Sequence, residues 1–276
     1  MSARPRAVIL TSTFLRHQHL VNRACERLDV VGVWQERKAF EPLSYAENSA
    51  DEGDISRHFA ARDRSEADCF AEDAALRLPA GTARHVIDPT GCNDPAEVAR
   101  MRGLSPDVVL VFGTGILRAG LVAAFPGRML NLHLGLSPYY RGAGTNFWPL
   151  VNGEPEYVGA TIHYLDEGLD SGPIVSHARA EVRPDDGPHN IGNRTITAAV
   201  EVMLQAAVAL GSGPLPASPQ EGGGRLYKRK DFSAGAVRRM YDNFADGMLQ
   251  DYLDHRAKRD AQLALITLPT PSGSPS

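Results

Sequence analysis

Apolar positions along the chain gather into short β-branched runs separated by longer amphipathic stretches. Ala7-Val-Ile-Leu10 reads as a buried strand, and Phe14 to Leu28 as a helix with Phe14, Val21, Ala24, Cys25 and Leu28 on one side. Asp29 to Trp34 is a second strand, and the charged, Ala-rich stretch from Asp51 to Leu78 forms one or two helices. Arg84 to Ile87 is a third strand, followed by a short helix from Pro95 to Arg102 with proline in its first turn. Asp107 to Phe112 is nearly all apolar, as a strand covered on both faces should be, and Met129 to His133 follows after a short helix. Strands alternating with helices predict an α/β fold, an open, mostly parallel doubly wound (Rossmann-like) sheet.

Beyond Pro149 the pattern changes. Tyr157 to Tyr164 and Ile174 to Val182 read as strands joined by a Gly/Asp-rich loop, which would turn the sheet mixed. Residues 190–210 form a long helix with Asn190 as its cap. Gly211 to Gly224 is a Gly/Pro/Ser-rich linker. From Ala236 to Lys258, Val237, Met240, Tyr241, Phe244, Met248 and Tyr252 recur at helical spacing, a stripe that serves either the core or a homo-oligomeric partner. The expected organisation is a catalytic unit over 1–210, a linker with a helical C-terminal appendage over 211–260, and a disordered Pro/Ser-rich tail over 261–276.

Composition narrows the chemistry. The 276 residues are 43% hydrophobic and 22% charged, enough to bury a core without disulfides. A net charge of -4 argues against nucleic acid as a partner, since phosphate binding favours a basic excess. There is no run of 18 apolar residues for a membrane span and no signal-peptide pattern. Cys25, Cys69 and Cys92 are widely spaced and form neither a disulfide framework nor a zinc site, so the chain reads as cytoplasmic. Gly-x-Gly-x-x-Gly is missing after the first strand, Phe112-Gly-Thr-Gly-Ile-Leu-Arg118 has two of its three glycines, and no P-loop exists, which counts against nicotinamide chemistry and phosphoryl transfer.

Two segments carry chemistry. Asn131-Leu-His133 ends an apolar strand, so its two polar side chains share one face where an open α/β sheet binds ligands. A glycine-rich polar loop, Leu134 to Thr145, follows. Leu165-Asp-Glu-Gly-Leu-Asp-Ser-Gly-Pro-Ile174 carries three carboxylates and two glycines; a hairpin accounts for Asp166 and Gly168, and the spacing does not match an EF-hand. No metal is expected.

Together, Asn131-Leu-His133, Pro138-Tyr-Tyr-Arg-Gly142, Gly159-Ala-Thr161 and Leu169-Asp-Ser-Gly-Pro-Ile174 resemble the formyltransferase family that uses 10-formyltetrahydrofolate. The resemblance covers about residues 105–185 and implies Asn131, His133 and Asp170 as the catalytic group. Formyl transfer develops negative charge on oxygen, to which an Asn amide and a protonated His can donate, while Asp170 orients His133 or assists proton removal. The resemblance also implies that the pterin lies against Gly115, Ile116 and Leu117 and against Leu165, Asp166 and Gly168. Thr11, Ser12, Tyr139, Tyr140, Arg141 and Thr145 are the candidate acceptor-binding residues.

The departures from the family pattern matter. The loop after Asn-x-His reads Leu-Gly-Leu-Ser-Pro138 rather than Ser-Leu-Leu-Pro, and Thr11-Ser-Thr13, whose hydroxyls could bind an anion, stands where glycinamide ribonucleotide formyltransferases hold a phosphate on a Gly-Ser-Asn-like loop. Methionyl-tRNA formyltransferases add a C-terminal β-barrel where this chain reads as helical. The expected reaction is therefore formylation of a small amine, an amino sugar or a specialised metabolite, by direct attack of the amine. The alternative is hydrolysis of 10-formyltetrahydrofolate, since deformylases share Gly159 to Tyr164, although they carry a regulatory domain ahead of the first strand.

Overall fold

The computed structural model describes residues 3–38, 41–46, 48–168 and 170–269. Seven strands form one sheet in the order β3-β2-β1-β4-β5-β7-β8. They are β1 (Arg6–Ser12), β2 (Asp29–Glu36), β3 (Ala83–Ile87), β4 (Val108–Val111), β5 (Met129–Leu134), β7 (Ala160–Tyr164) and β8 (Ile174–Ala178). The first five run parallel, while β7 is antiparallel to both β5 and β8, so the sheet is mixed as expected. The connecting helices are α1 (Leu15–Arg27), α2 (Ser49–Cys69), α3 (Pro95–Gly103), α4 (Ala119–Ala124), α5 (Trp148–Val151) and α6 (Pro188–Leu210).

Period-two alternation distributes the apolar side chains. Ala7 and Ile9 of β1 and Leu110 of β4 meet Leu20 and Val21 of α1 and Ala199 and Met203 of α6 on one face. Val8, Leu10, Val109 and Val111 meet Met101 of α3, Leu121 of α4 and Phe125 on the other. Both faces are thus covered, which is why these strands are almost wholly apolar. Truncating a fully buried member such as Ile9 to alanine would cost about 2–5 kcal/mol.

Helix starts follow their caps. Asn48 accepts from the backbone N–H of Ala50 and Asp51 at 2.9 and 3.2 Å, so α2 begins ahead of the expected Asp51. Asp94 caps α3, with Pro95 in the first turn. Asn190 does not cap α6: the helix begins at Pro188, and the Asn190 Oδ1 reaches back to the Gly187 N–H at 3.2 Å.

The C-terminal region is helical, as expected, but is broken into α7 (Ala234–Ala245), α8 (Met248–Asp254) and α9 (Arg256–Asp260). Gly247, at φ +83°, separates the first two. The apolar stripe faces its own chain: Met240, Met248 and Tyr252 pack with Tyr140, Trp148 and Leu150, and Val237 packs with Ile55 and Phe59 of α2. A parallel ribbon, β6 (Tyr140–Gly142) with β9 (Arg225–Tyr227), ties the segment just after the 211–224 stretch to the loop after β5. This pairing was not foreseen, because a three-residue strand has no readable period.

The tail expected from residue 261 continues along the sheet instead. The Ile266 N–H donates to His177 Nδ1 at 2.9 Å, and its carbonyl accepts from the His177 N–H at 2.7 Å. The second of these bonds satisfies a backbone donor on the outer edge of β8, a gain that composition does not register. Residues 270–276 of the expected tail, and Leu169 of the motif, lie outside the described residues.

Candidate active site

The neighbours of β1 are β2 on one side and β4 on the other, so the strand order reverses there and a crevice opens beyond the carboxyl ends. A cleft of about 700 Å³ occupies it. Its walls come from Phe14 to His17 after β1, Phe112 to Leu117 after β4, the end of β5, and the β7–β8 hairpin.

Asn131, His133 and Asp170 come together at this cleft. Asn131 Nδ2 donates to Asp170 Oδ1 at 3.1 Å, and His133 Nδ1 lies 3.4 Å from Asp170 Oδ2. Asp170 holds φ +49°, a left-handed conformation that Asp tolerates better than most residues, and this turns its carboxylate back toward β5. The Nε2 of His133 is buried without a hydrogen-bond partner among the described residues, so it is the open valence of the group.

His163 joins them. Antiparallel pairing sets it directly opposite Asn131, whose Nδ2 donates to His163 Nε2 at 3.0 Å, while His163 Nδ1 donates to the Tyr164 carbonyl at 2.8 Å. The Gly159-Ala-Thr-x-His-Tyr pattern contains this residue, but only the strand register shows what it faces. Both amide hydrogens of Asn131 are thereby engaged within the cluster.

Electrostatics corrects one expectation. Burial pushes the His133 imidazole below its ordinary pKa, and the facing Asp170 carboxylate only partly opposes it. His133 is therefore neutral near pH 7 rather than protonated. Burial would raise the Asp170 carboxyl, but His163, His133 and Asn131 outweigh that and hold it below the usual range. A neutral imidazole turned toward a carboxylate through Nδ1 leaves Nε2 as a base.

The expected pterin-side residues divide. Gly115, Ile116, Leu117, Leu165 and Gly168 line the cleft. Asp166 turns into its own hairpin, accepting from the Gly168 N–H and the Ser171 hydroxyl, each at 3.0 Å. Glu36, at the end of β2, accepts from the Gly115 N–H at 2.6 Å, and Lys38 donates to the Thr114 carbonyl at 3.2 Å. These two brace the loop after β4, and burial lowers the Lys38 ammonium. His17 packs edge-on against Phe112, and burial drives its imidazole well below the ordinary value. Gly113, at φ +76°, has no room for a side chain because the His17 ring lies against it. Nothing in the sequence marked Glu36, Lys38 or His17, which meet only through the parallel strands.

The expected acceptor residues divide as well. Thr11 donates to the Phe112 carbonyl at 2.7 Å and Ser12 bonds His17 Nδ1; both side chains are fully buried and do not line the cleft. Arg16 and His17 take that place. Tyr140 is also buried, its hydroxyl among Glu154, Asn152 and Arg225, and Tyr139 accepts from the Ala264 N–H at 2.7 Å. Neither tyrosine lines the cleft, because β6 directs them into the C-terminal core. Thr145 lines it, with its hydroxyl bonded to the Leu134 carbonyl. Arg141 lines a smaller cavity that also touches His133 and Asp170, and has no hydrogen-bond or ion-pair partner among the described residues. Thr161 pins the loop after β5, accepting from the Ser137 N–H at 2.9 Å and donating to the Gly135 carbonyl at 2.7 Å.

The fold and site define a doubly wound α/β protein with an Asn–His–Asp cluster at its switch point and no Ser or Cys nucleophile among these groups. The chain matches the Formyl transferase family over residues 7–207, and it belongs to that family. A methionyl-tRNA formyltransferase of Syntrophus aciditrophicus is 34% identical over 137 residues, covering 49% of this chain and 44% of that protein. One from a Roseiflexus species is 32% identical over 163 residues, covering 59% and 49%. The chain thus spans less than half the length of these curated relatives. Among solved structures, glycinamide ribonucleotide transformylase 1 of Symbiobacterium toebii superposes with a TM-score of 0.54 at 19% identity, covering 80% of this chain and 96% of that one. A sugar N-formyltransferase from a Shewanella species gives 0.52 at 17%, covering 83% and 78%. At these identities the likeness is one of fold.

No helix among the described residues is long and apolar enough to cross a membrane. Among the same residues, no group of three or more His, Cys, Asp or Glu side chains is gathered to hold a metal ion.

Proposed function

We propose that this protein transfers the formyl group of 10-formyltetrahydrofolate to the amine of a small acceptor. The observation that carries the reading is the His133 Nε2, buried and unpartnered beside Asn131 and Asp170 at the edge of a cleft large enough for a flat heterocycle. The folate, when bound, supplies an activated formyl carbon. The Gly113–Leu117 loop, braced by Glu36 and Lys38, offers backbone for its ring.

The protein's own groups divide the remaining work. His133 Nε2 takes the proton that the attacking amine sheds, the resulting imidazolium faces the Asp170 carboxylate, and the same proton passes to the donor nitrogen as its bond to the formyl carbon breaks. Asn131 exchanges its Asp170 contact for the formyl oxygen as charge grows there, and His163 keeps the amide oriented. Removing one such donor typically costs about 10²–10³-fold in rate. A small acceptor is favoured because α7 of the C-terminal region helps wall the space beside the cluster.

The test is release of tetrahydrofolate from 10-formyltetrahydrofolate with and without a panel of amines. Release that depends on an amine supports transfer. Formate release that is indifferent to amines replaces transfer by hydrolysis, and no release under either condition refutes both.

A further inference from the structure

A second cavity, about 290 Å³, opens beside the cleft. Arg16, Leu134, Gly144 and Thr145 form a wall common to the two, and Leu134 directly follows His133 in β5. The chamber draws His58 and Glu66 from α2, Phe147 from the loop after β6, His189 and Gly192 from α6, and Met240 from α7. The last of these lies beyond the 7–207 family match, so the C-terminal helices help define this space.

Its charges cancel locally. Arg16 is paired with Glu66 at 2.5 Å, and Arg62 with Asp63 at 2.7 Å. His58 and His189 lie with ring centroids 4.8 Å apart, and the Tyr241 hydroxyl is 3.4 Å from a nitrogen of each. Burial lowers the His58 and His189 imidazoles to about 3 and about 4, with the charge of Arg62 adding to the effect at each, so both are neutral. A phosphate entering here would find each guanidinium already matched by a carboxylate, and would have to leave water without gaining an unpaired cation. Apolar walls from Leu134, Phe147, Ile196 and Met240 complete the lining. One donor is open: the buried Nδ2 of Asn146 has no partner among the described residues, while its Oδ1 accepts from the Gly159 N–H at 3.0 Å.

We propose that this chamber holds the body of the acceptor, and that this body is an uncharged, largely apolar ring presenting a hydrogen-bond acceptor to Asn146. The inference rests on the formyl-transfer reading for the amine's approach to His133, but binding itself can be measured separately. The structure supplies a clean obstruction: a Cβ added at Gly192, within α6, meets nothing within 4 Å. Gly192→Leu therefore fills the chamber while improving the helix, since glycine is a poor helix former.

The experiment titrates wild type and Gly192→Leu by calorimetry with the methyl glycoside of a 4-amino-4,6-dideoxyhexose, with glucosamine 6-phosphate, and with tetrahydrofolate. The phosphate-free glycoside should bind wild type about tenfold tighter than the phosphorylated amine, and Gly192→Leu should weaken it by about tenfold or more, the scale set by a filled apolar pocket. Equal or tighter binding of the phosphorylated amine, an unchanged glycoside affinity in Gly192→Leu, or no binding of the glycoside overturns the inference. Tetrahydrofolate binding keeps the two readings apart. If it binds both proteins while the glycoside result fails, the chamber inference alone falls. If tetrahydrofolate binds neither protein, the formyl-transfer reading falls, whatever the glycoside does.

Discussion

His133 and His163 are gathered around Asp170 and Asn131, whereas His58 and His189 share the Tyr241 hydroxyl, with no carboxylate hydrogen-bonded to either ring among the described residues. The two pairs lie on opposite sides of the wall formed by Leu134 and Thr145. Burial lowers His133, His58 and His189 alike. Beside the cleft, a carboxylate faces His133 and can stabilise the proton it acquires; beside the chamber, nothing hydrogen-bonded does so. One pair is suited to proton transfer and the other to lining a pocket, a difference that comes from partners rather than residue type.

Removing the partner should have the largest effect. Asp170→Asn and His133→Ala should each lower kcat by about 10²–10⁴-fold with an intact fold, as measured by tetrahydrofolate release and circular dichroism. Near-normal turnover in either variant removes that residue from the site. Asn131→Ala comes next, with an expected loss of roughly 10²–10³-fold in kcat and little change in folate affinity. A change confined to KM would make it a binding residue instead.

The pH dependence separates the two pairs more finely. The lowered His133 should leave kcat/KM flat above pH 6.5 and let it fall about tenfold per unit once pH drops through its own, lower value. His58 and His189 instead govern stability. Their pKa values are depressed in the folded state, so the unfolded chain takes up protons first as pH falls below about 6.5. Their contribution is whole above that point and is lost progressively toward about 4 and about 3. His58→Phe should flatten the acid side of the melting-temperature profile without shifting the pH at which kcat/KM falls, whatever it does to acceptor binding, and an equal shift of both would erase the distinction. The smallest effect is expected at Thr11→Val, which removes a buried hydrogen bond to the Phe112 carbonyl and should cost about 1 kcal/mol of stability. Its acceptor KM should not change; a several-fold rise would return Thr11 to the binding surface.

Much of the parallel core was legible because its strands are covered on both faces. Ala7 to Leu10, Asp107 to Phe112 and Met129 to His133 stand out as apolar runs between helical stretches, and Asn131, His133 and Asp170 belong to a motif dense enough to be seen without a fold. Thr11 and Ser12 show where such reading stops. Their hydroxyls suit an anion, but a strand-end side chain alternates between faces, and these two bond the Phe112 carbonyl and His17 instead. Tyr139 and Tyr140 follow the same logic, since the β6–β9 ribbon sets their direction.

The order of elements, the Asn-x-His strand end and the acidic hairpin are local properties, written in residues close together along the chain. The partnership of His163 with Asn131 depends on antiparallel register, and the brace from Glu36 on parallel pairing of strands far apart in sequence. The neutral state of His133 depends on how much water the surrounding packing excludes. The chamber of His58, His189 and Met240 depends on three helices meeting over one loop. None of these has a local signature, because hydrogen-bond register and desolvation arise only once distant segments are brought together.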